Sequence, residues 1–413
     1  MYQSTSSSTA RLATQALSAR SRTYATSPWA SQQPVKGKRK IVLVGAGFVG
    51  SYIAKALVAD PRNQVVLASR NPEPLYNKLK SLGSSILPPV SLDITKPSTL
   101  NPAFEGASAI VSLVGILTGT PEEFKKLQAE GGENVARAAK EAGVRRVVVV
   151  SALGIEKGGT PYAETKLEME QSFKTHHPTS TIIRPSLVFG PGDSFFTRFA
   201  TLANYLPLLP LFGGGTSKFQ PIYVGDLAKA VEVATRDETC EGGKALMGDI
   251  EGKTLQGGGP DVFTYKQLMQ LTLRYTDLVN RRLLLPIPFW IGMIQAFFLE
   301  KLPLPEVLKL TRDQVKQLKN DNKEELASDA SSSGIQNVDQ LLKTYPAAAF
   351  GTEPPQGLKS VYDILPMYIR PRGAEDEAPP VSGKRRHGRD YVGGARGEAA
   401  VRKMTEKSGA PKL

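Results

Sequence analysis

A single cysteine, Cys240, stands in 413 residues. That excludes an intramolecular disulfide and a zinc site built from cysteines. Histidine is nearly as scarce. His176, His177 and His387 are the whole supply, too few for a histidine-rich metal centre. No run reaches the roughly 18 uninterrupted apolar residues that a membrane-spanning helix needs. Acid is missing from the start of the chain: residues 1–40 hold seven basic residues, and the first carboxylate is Asp60. Residues 371–413 add ten basic and six acidic residues, so only +2 of the net +13 falls on residues 41–370. A nearly neutral body is no nucleic-acid platform on charge grounds, and no specific nucleic acid is expected as a partner.

The two ends read as separate from the body. Residues 1–36 are rich in Ser, Thr and Ala, and Arg11, Arg20 and Arg22 flank Leu12 and Leu17 in a mildly amphipathic basic stretch. This composition resembles a mitochondrial transit peptide, and Arg22-Thr23-Tyr24 before Ala25 resembles a matrix-protease cleavage site. The expected location is the matrix. Residues 331–413 read as an extension that ends in a Gly-, Pro- and charge-rich disordered tail, in which Lys384–Arg389 is a solvated basic run.

Between the ends, short β-branched runs alternate with helical patterns. Ile41-Val42-Leu43-Val44, Val65-Val66-Leu67, a short segment to Val90 and Leu92, Ala109–Val114, Val147–Val150 and Thr181–Ile183 are read as buried strands. One long helix is expected from Glu122 to Gly143 and another from near Tyr162 to Phe173. The pattern predicts an α/β fold, a doubly wound parallel sheet with a smaller C-terminal lobe. The expected division is 37–250 for the dinucleotide-binding (Rossmann) domain and 251–330 for the lobe.

Gly45-Ala46-Gly47-Phe48-Val49-Gly50 falls between the first strand and its helix, the context in which GxGxxG carries meaning. Gly45 permits the tight turn, Gly47 lets backbone approach a pyrophosphate, and Gly50 lets the helix lie close on the strand. The helix N-terminus presents unpaired N–H groups to phosphate. At the end of the second strand, where an acid would bind the ribose 2′-hydroxyl of NAD, the chain has Ser69-Arg70. A guanidinium can bind a 2′-phosphate in bidentate fashion. The reading favours NADP(H), with NAD(H) as the alternative.

Tyr162 and Lys166 lie four residues apart, hence on one helix face. An ammonium beside a phenol is expected to lower its pKa, making it an acid or base for chemistry at a carbonyl. Farther on, Leu283–Leu299 is almost wholly apolar; Pro286 and Pro288 break its first turn and leave about 11 helical residues, or about 16 Å. Two readings stay open: a core helix of the lobe, or a surface placing Phe289, Trp290, Met293, Phe297 and Phe298 against a membrane or a quinone-handling partner, beside Arg281-Arg282. Asp226 is expected to cap a helix over 227–235, and Cys240 to be a bystander.

These pieces together resemble the extended and atypical short-chain dehydrogenase/reductases over roughly residues 38–325. Leu113–Leu117, Val150–Gly154, Arg184–Gly190, Phe219–Asp226 and Leu310–Val315 are similar to the branch that holds the nucleotide-binding alpha-subcomplex subunit nine of respiratory complex I and a fungal protein associated with coenzyme Q biosynthesis. Gly115-Ile116-Leu117 and Ser69-Arg70 are closer to the coenzyme Q-associated member. The resemblance implies that Gly45, Gly47, Phe48, Val49 and Gly50 form the phosphate loop, altered because the usual first glycine is Val44. It implies that Asp93 and Ile94 contact the adenine, and that Val114 and Gly115 pass the nicotinamide ribose. Pro185, Ser186 and Val188 would lie under the nicotinamide, with Tyr162 and Lys166 as the catalytic pair. The usual catalytic Ser or Thr aligns with Ala152, leaving Ser151 as the neighbouring hydroxyl, one place early. The implied role is an accessory or regulatory factor in coenzyme Q biosynthesis within a mitochondrial assembly, peripheral to the inner membrane. The alternatives are a structural subunit of complex I, or an NADP-dependent reductase or epimerase of a small substrate.

Overall fold

The computed structural model describes residues 37–301, 312–325, 334–347 and 357–371, and the side chains of this set except at 298–301. Residues 1–36, expected to be a transit peptide, the basic run Lys384–Arg389 and the Phe298 side chain lie outside it. The strands are β1 (Arg39–Val44), β2 (Asn63–Ser69), β3 (Val90–Ser91), β4 (Ala109–Ser112), β5 (Arg146–Val150), β6 (Thr181–Pro185), β7 (Val188–Phe189), β8 (Leu208–Phe212), β9 (Lys218–Phe219), β10 (Ile222–Tyr223), β11 (Thr254–Gly257), β12 (Phe263–Thr264) and β13 (Leu283–Ile287). Seven build one parallel sheet in the order β11-β6-β5-β4-β1-β2-β3.

The helices that matter below are α1 (Phe48–Val58), α2 (Gly131–Glu141), α3 (Pro161–His176), α4 (Phe195–Tyr205), α5 (Val224–Ala234), α6 (Tyr265–Tyr275) and α7 (Phe289–Lys301). Both faces of the sheet are covered, which is why its strands are continuous apolar runs. Ile41, Leu43, Val65, Leu67 and Val111 pack on α1 and α5. Their sequence neighbours Val42, Val44, Val66 and Ile110 pack on Val135 and Ala139 of α2 and Phe173 of α3. The direction of winding reverses between β1 and β4, so their C-terminal ends open a crevice.

The division into domains differs from the expected one. β11 joins the edge of the main sheet, pairing with β6, so the boundary at 250 cuts the sheet. The second apolar cluster draws Phe189, Phe196 and Leu211 together with Phe263, Leu268, Val361 and Leu365. The lobe is therefore discontinuous in sequence, and the described parts of the extension are folded onto the body. The stretch expected as one helix from Glu122 is broken into Pro121–Phe124, a π-helical turn Lys125–Glu130, and α2. Leu283–Ile287 is a strand and not a helical turn: Pro286 cannot donate, but the run pairs in parallel with β8. Asp226 does not cap α5. Tyr223 holds the cap position, and the Asp226 carboxylate accepts from the Lys359 backbone N–H at 2.6 Å and from Lys229 Nζ at 2.8 Å. It ties the C-terminal segment to α5. Cys240 is buried and unpaired, and no His/Cys/Asp/Glu group among the described residues could hold a metal.

Candidate functional site

A cleft of about 1430 Å³ runs along the C-terminal edge of the sheet. One end is formed by the turn from β1 into α1. Gly45 has φ +124°, and a Cβ there would stand 2.9 Å from the Leu113 Cβ. A Cβ at Gly50 would stand 2.4 Å from the Gly45 carbonyl oxygen, so only glycine lets α1 lie against the turn. Gly47 differs: nothing lies within 4 Å of its would-be Cβ, and it holds the N-cap position of α1 with no side-chain bond to the helix N–H groups. Phe48 and Val49 line the same end. This leaves open space before unpaired helix N–H groups, the arrangement that accepts phosphate.

Ser69 and Arg70 follow at the end of β2 and line the cleft; Arg70 is exposed, and its guanidinium makes no hydrogen bond or salt bridge among the described residues. Ile94 lines the cleft, but Asp93 does not. The Asp93 carboxylate instead accepts from Thr95 N at 3.0 Å and Thr95 Oγ1 at 2.8 Å, bonds that hold its pKa below the ordinary value.

The other end gathers Val114, Gly115, Ser151, Ala152, Tyr162 and Lys166. Thr160 caps α3 by accepting from Ala163 N at 3.1 Å, and Pro161 starts the helix, which sets Tyr162 and Lys166 on the cleft wall. Lys166 Nζ donates to the Val114 carbonyl at 2.7 Å and the Val150 carbonyl at 3.3 Å. A Cβ at Gly115 would stand 2.9 Å from that Nζ, so this glycine makes room for the ammonium. Burial lowers Lys166 to about 8. The Tyr162 phenol is pushed up to about 12 by burial, the opposite of the lowering expected from the lysine. Desolvation dominates because the ammonium is turned to the two carbonyls. The Ser151 Oγ is buried without a hydrogen-bond partner.

Two residues that sequence reasoning missed hold this end together. Gln128, fully buried in the π-helical turn, accepts from Ile116 N at 3.0 Å and donates to the Tyr162 carbonyl at 3.1 Å and Thr165 Oγ1 at 2.9 Å. Its signal was a polar residue four places after Phe124 and seven before Val135, on a buried face. Asn322 accepts from Ser186 Oγ at its backbone carbonyl, 2.7 Å away, and donates through Nδ2 to the Leu153 carbonyl at 2.8 Å. Ser186 thus clasps a remote segment, while Pro185 and Val188 line the cleft beside it. No local pattern announces Asn322.

A family model described as NAD(P)H-binding matches residues 45–190. The chain is 30% identical over 325 residues to the mitochondrial NADH dehydrogenase [ubiquinone] 1 alpha subcomplex subunit 9 of Arabidopsis thaliana, covering 76% of this chain and 77% of the relative. It is 27% identical over 251 residues to a ceramide reductase of Caulobacter vibrioides, covering 60% and 74%. Among solved structures, the Citrobacter sp. triphenylmethane reductase complexed with NADP(H) shares the fold with a TM-score of 0.55 at 20% identity, over 73% of this chain and 94% of that one.

Proposed function

The chain belongs to the family of NAD(P)-binding, short-chain-dehydrogenase-like proteins that includes the mitochondrial NADH dehydrogenase alpha subcomplex subunit 9, and from this premise we propose that it is a mitochondrial NADP(H)-binding accessory or regulatory factor of coenzyme Q biosynthesis. One observation carries the reading: the open glycine turn, the unbonded Arg70 guanidinium, the part-buried Tyr162 and the buried Lys166 lie along a single cleft. These residues fit the dinucleotide. Gly45, Gly47 and Gly50 would receive its diphosphate at the α1 N-terminus, Arg70 its 2′-phosphate, and Lys166 its nicotinamide ribose hydroxyls. Bound, the dinucleotide supplies or accepts a hydride. The phenol of Tyr162, pushed up to about 12 by burial, is suited to donate a proton to a carbonyl oxygen. Ala152 contributes no second hydroxyl there, which suits a protein that binds cofactor and turns over slowly.

A second reading, a nucleotide-holding structural subunit of complex I, is favoured by the Arabidopsis relative. Affinity purification of the full chain from mitochondria separates the two, with mass spectrometry of partners and of the retained nucleotide. Retained NADP(H) alongside quinone-biosynthetic enzymes is the expected result. Recovery within the intact complex I band establishes the second reading instead, and NADH binding tenfold tighter than NADPH overturns the role of Arg70.

A further inference from the structure

The cleft is larger than one ligand requires. Single-ligand pockets run to about 300–1,000 Å³, and this one has about 1430 Å³. Beyond the nicotinamide end its walls are Phe199 and Leu202 of α4, Leu206, Leu208 of β8 and Leu285 of β13. Polar side chains such as Arg198, Thr201 and Gln314 also line this half, but two of its polar groups are buried without a partner. Tyr265, the first residue of α6, is 1% exposed and lines the cleft among Phe195, Phe199 and Phe219, yet its hydroxyl has no hydrogen-bond partner. Gln317 also lines the cleft, and its Nε2 is buried and equally unpartnered. Burying an unpaired donor is costly, and phenylalanine or leucine would fill these places without that cost.

Resting on the reading that the glycine turn holds a dinucleotide, we infer that the far half of the cleft binds a lipid-sized carbonyl compound with a second oxygen, which accepts from Tyr265 Oη and Gln317 Nε2. The reacting carbonyl sits at Tyr162; the apolar body lies on Phe199, Leu202 and Leu208. Specificity follows from the two donors. A ligand with one oxygen leaves them unpaired, whereas a ligand with two satisfies them.

The test uses the full chain loaded with NADP⁺, whose binding is measured first and separately. Its failure would count against the dinucleotide reading and not against the chamber. Calorimetry then compares 2-pentanone, 2-undecanone and 2-decyl-1,4-benzoquinone. Binding at least tenfold tighter for undecanone than pentanone is expected, and tighter again for the quinone. Tyr265→Phe should weaken the quinone at least fivefold and undecanone less than twofold, while its melting temperature stays level or rises, because an unpaired hydroxyl has been removed. Gln317→Leu should behave likewise. Equal affinity for the short and long ketones overturns the proposal. So does a quinone affinity untouched by Tyr265→Phe, or a fall in melting temperature, which would reveal a structural partner for the hydroxyl.

Discussion

At the scale of single residues, the glycine turn separates folding from binding. Gly47 has an ordinary φ of −94° and open space around its would-be Cβ. Gly47→Ala should keep the melting temperature within a degree or two and weaken NADPH on the order of tenfold, because the methyl occupies the approach to phosphate. Gly50→Ala, with the Gly45 oxygen 2.4 Å from the new carbon, should instead lose roughly 1–3 kcal/mol of stability. Thermal melts and fluorescence titration of the two variants check this; equal effects on both properties would defeat the assignment. Lys166 gives a pH signature. Its folded pKa, about 8, lies below its unfolded value of 10.5, so between these values the unfolded chain holds more protons and stability rises with pH. Relative to Lys166→Met, the wild-type protein should gain melting temperature from pH 8 to 10. A parallel course for the two would mean that the ammonium is not desolvated.

At the scale of elements, the π-helical turn braces the cleft wall that carries Tyr162 and Lys166. Gln128 joins the loop after β4 to the start of α3, beside the bond from Lys166 to the Val114 carbonyl. Gln128→Leu removes the partner of the part-buried Ile116 N–H and leaves the Tyr162 carbonyl and Thr165 Oγ1 without this donor, and should cost about 1–3 kcal/mol. It should also lower NADPH affinity, since Val114 and Lys166 sit on the two segments that Gln128 connects; an unchanged affinity in a destabilised variant would confine Gln128 to stability. The sequence announced the strands from β1 to β6 because a strand buried on both faces is an apolar run that needs no partner to be recognised. It announced Tyr162 and Lys166 by spacing and context. It could not announce their protonation, because burial outweighs the neighbouring charge only once the cleft is assembled. The π-helical turn, the Asn322 clasp and the pairing of β11 with β6 rest on contacts between distant segments. Pro286 and Pro288 misled a local reading of this stretch because the parallel pairing of Leu283–Ile287 with β8 is long-range.

At the scale of the whole molecule, the apolar stretch is divided between a core and an exposed face. Phe289 and Met293 of α7 pack on Phe212 and Val315 as a small core, while Trp290 is 66% exposed beside exposed Ile291 and Ile294. Tyr205, Leu206, Leu208, Leu283 and Leu285 add exposed apolar surface around β8 and β13, and Leu206, Leu208 and Leu285 also line the cleft. α7 has 13 residues, about 20 Å of helix, against a hydrocarbon core of roughly 30 Å, so it cannot span a bilayer and can only lie on one. An apolar rim continuous with an apolar chamber is the geometry by which a protein draws a lipid out of a leaflet without crossing it. Vesicles of phosphatidylcholine with cardiolipin should therefore pull down the full chain. Trp290→Ser combined with Ile294→Ser should reduce that fraction severalfold and leave NADPH binding intact, because neither side chain lines the cleft. Sedimentation with vesicles checks it. Wild-type protein left wholly in the supernatant, or a double variant that sediments as well as wild type, would detach the rim from any membrane role and leave the chamber to ligands delivered through water.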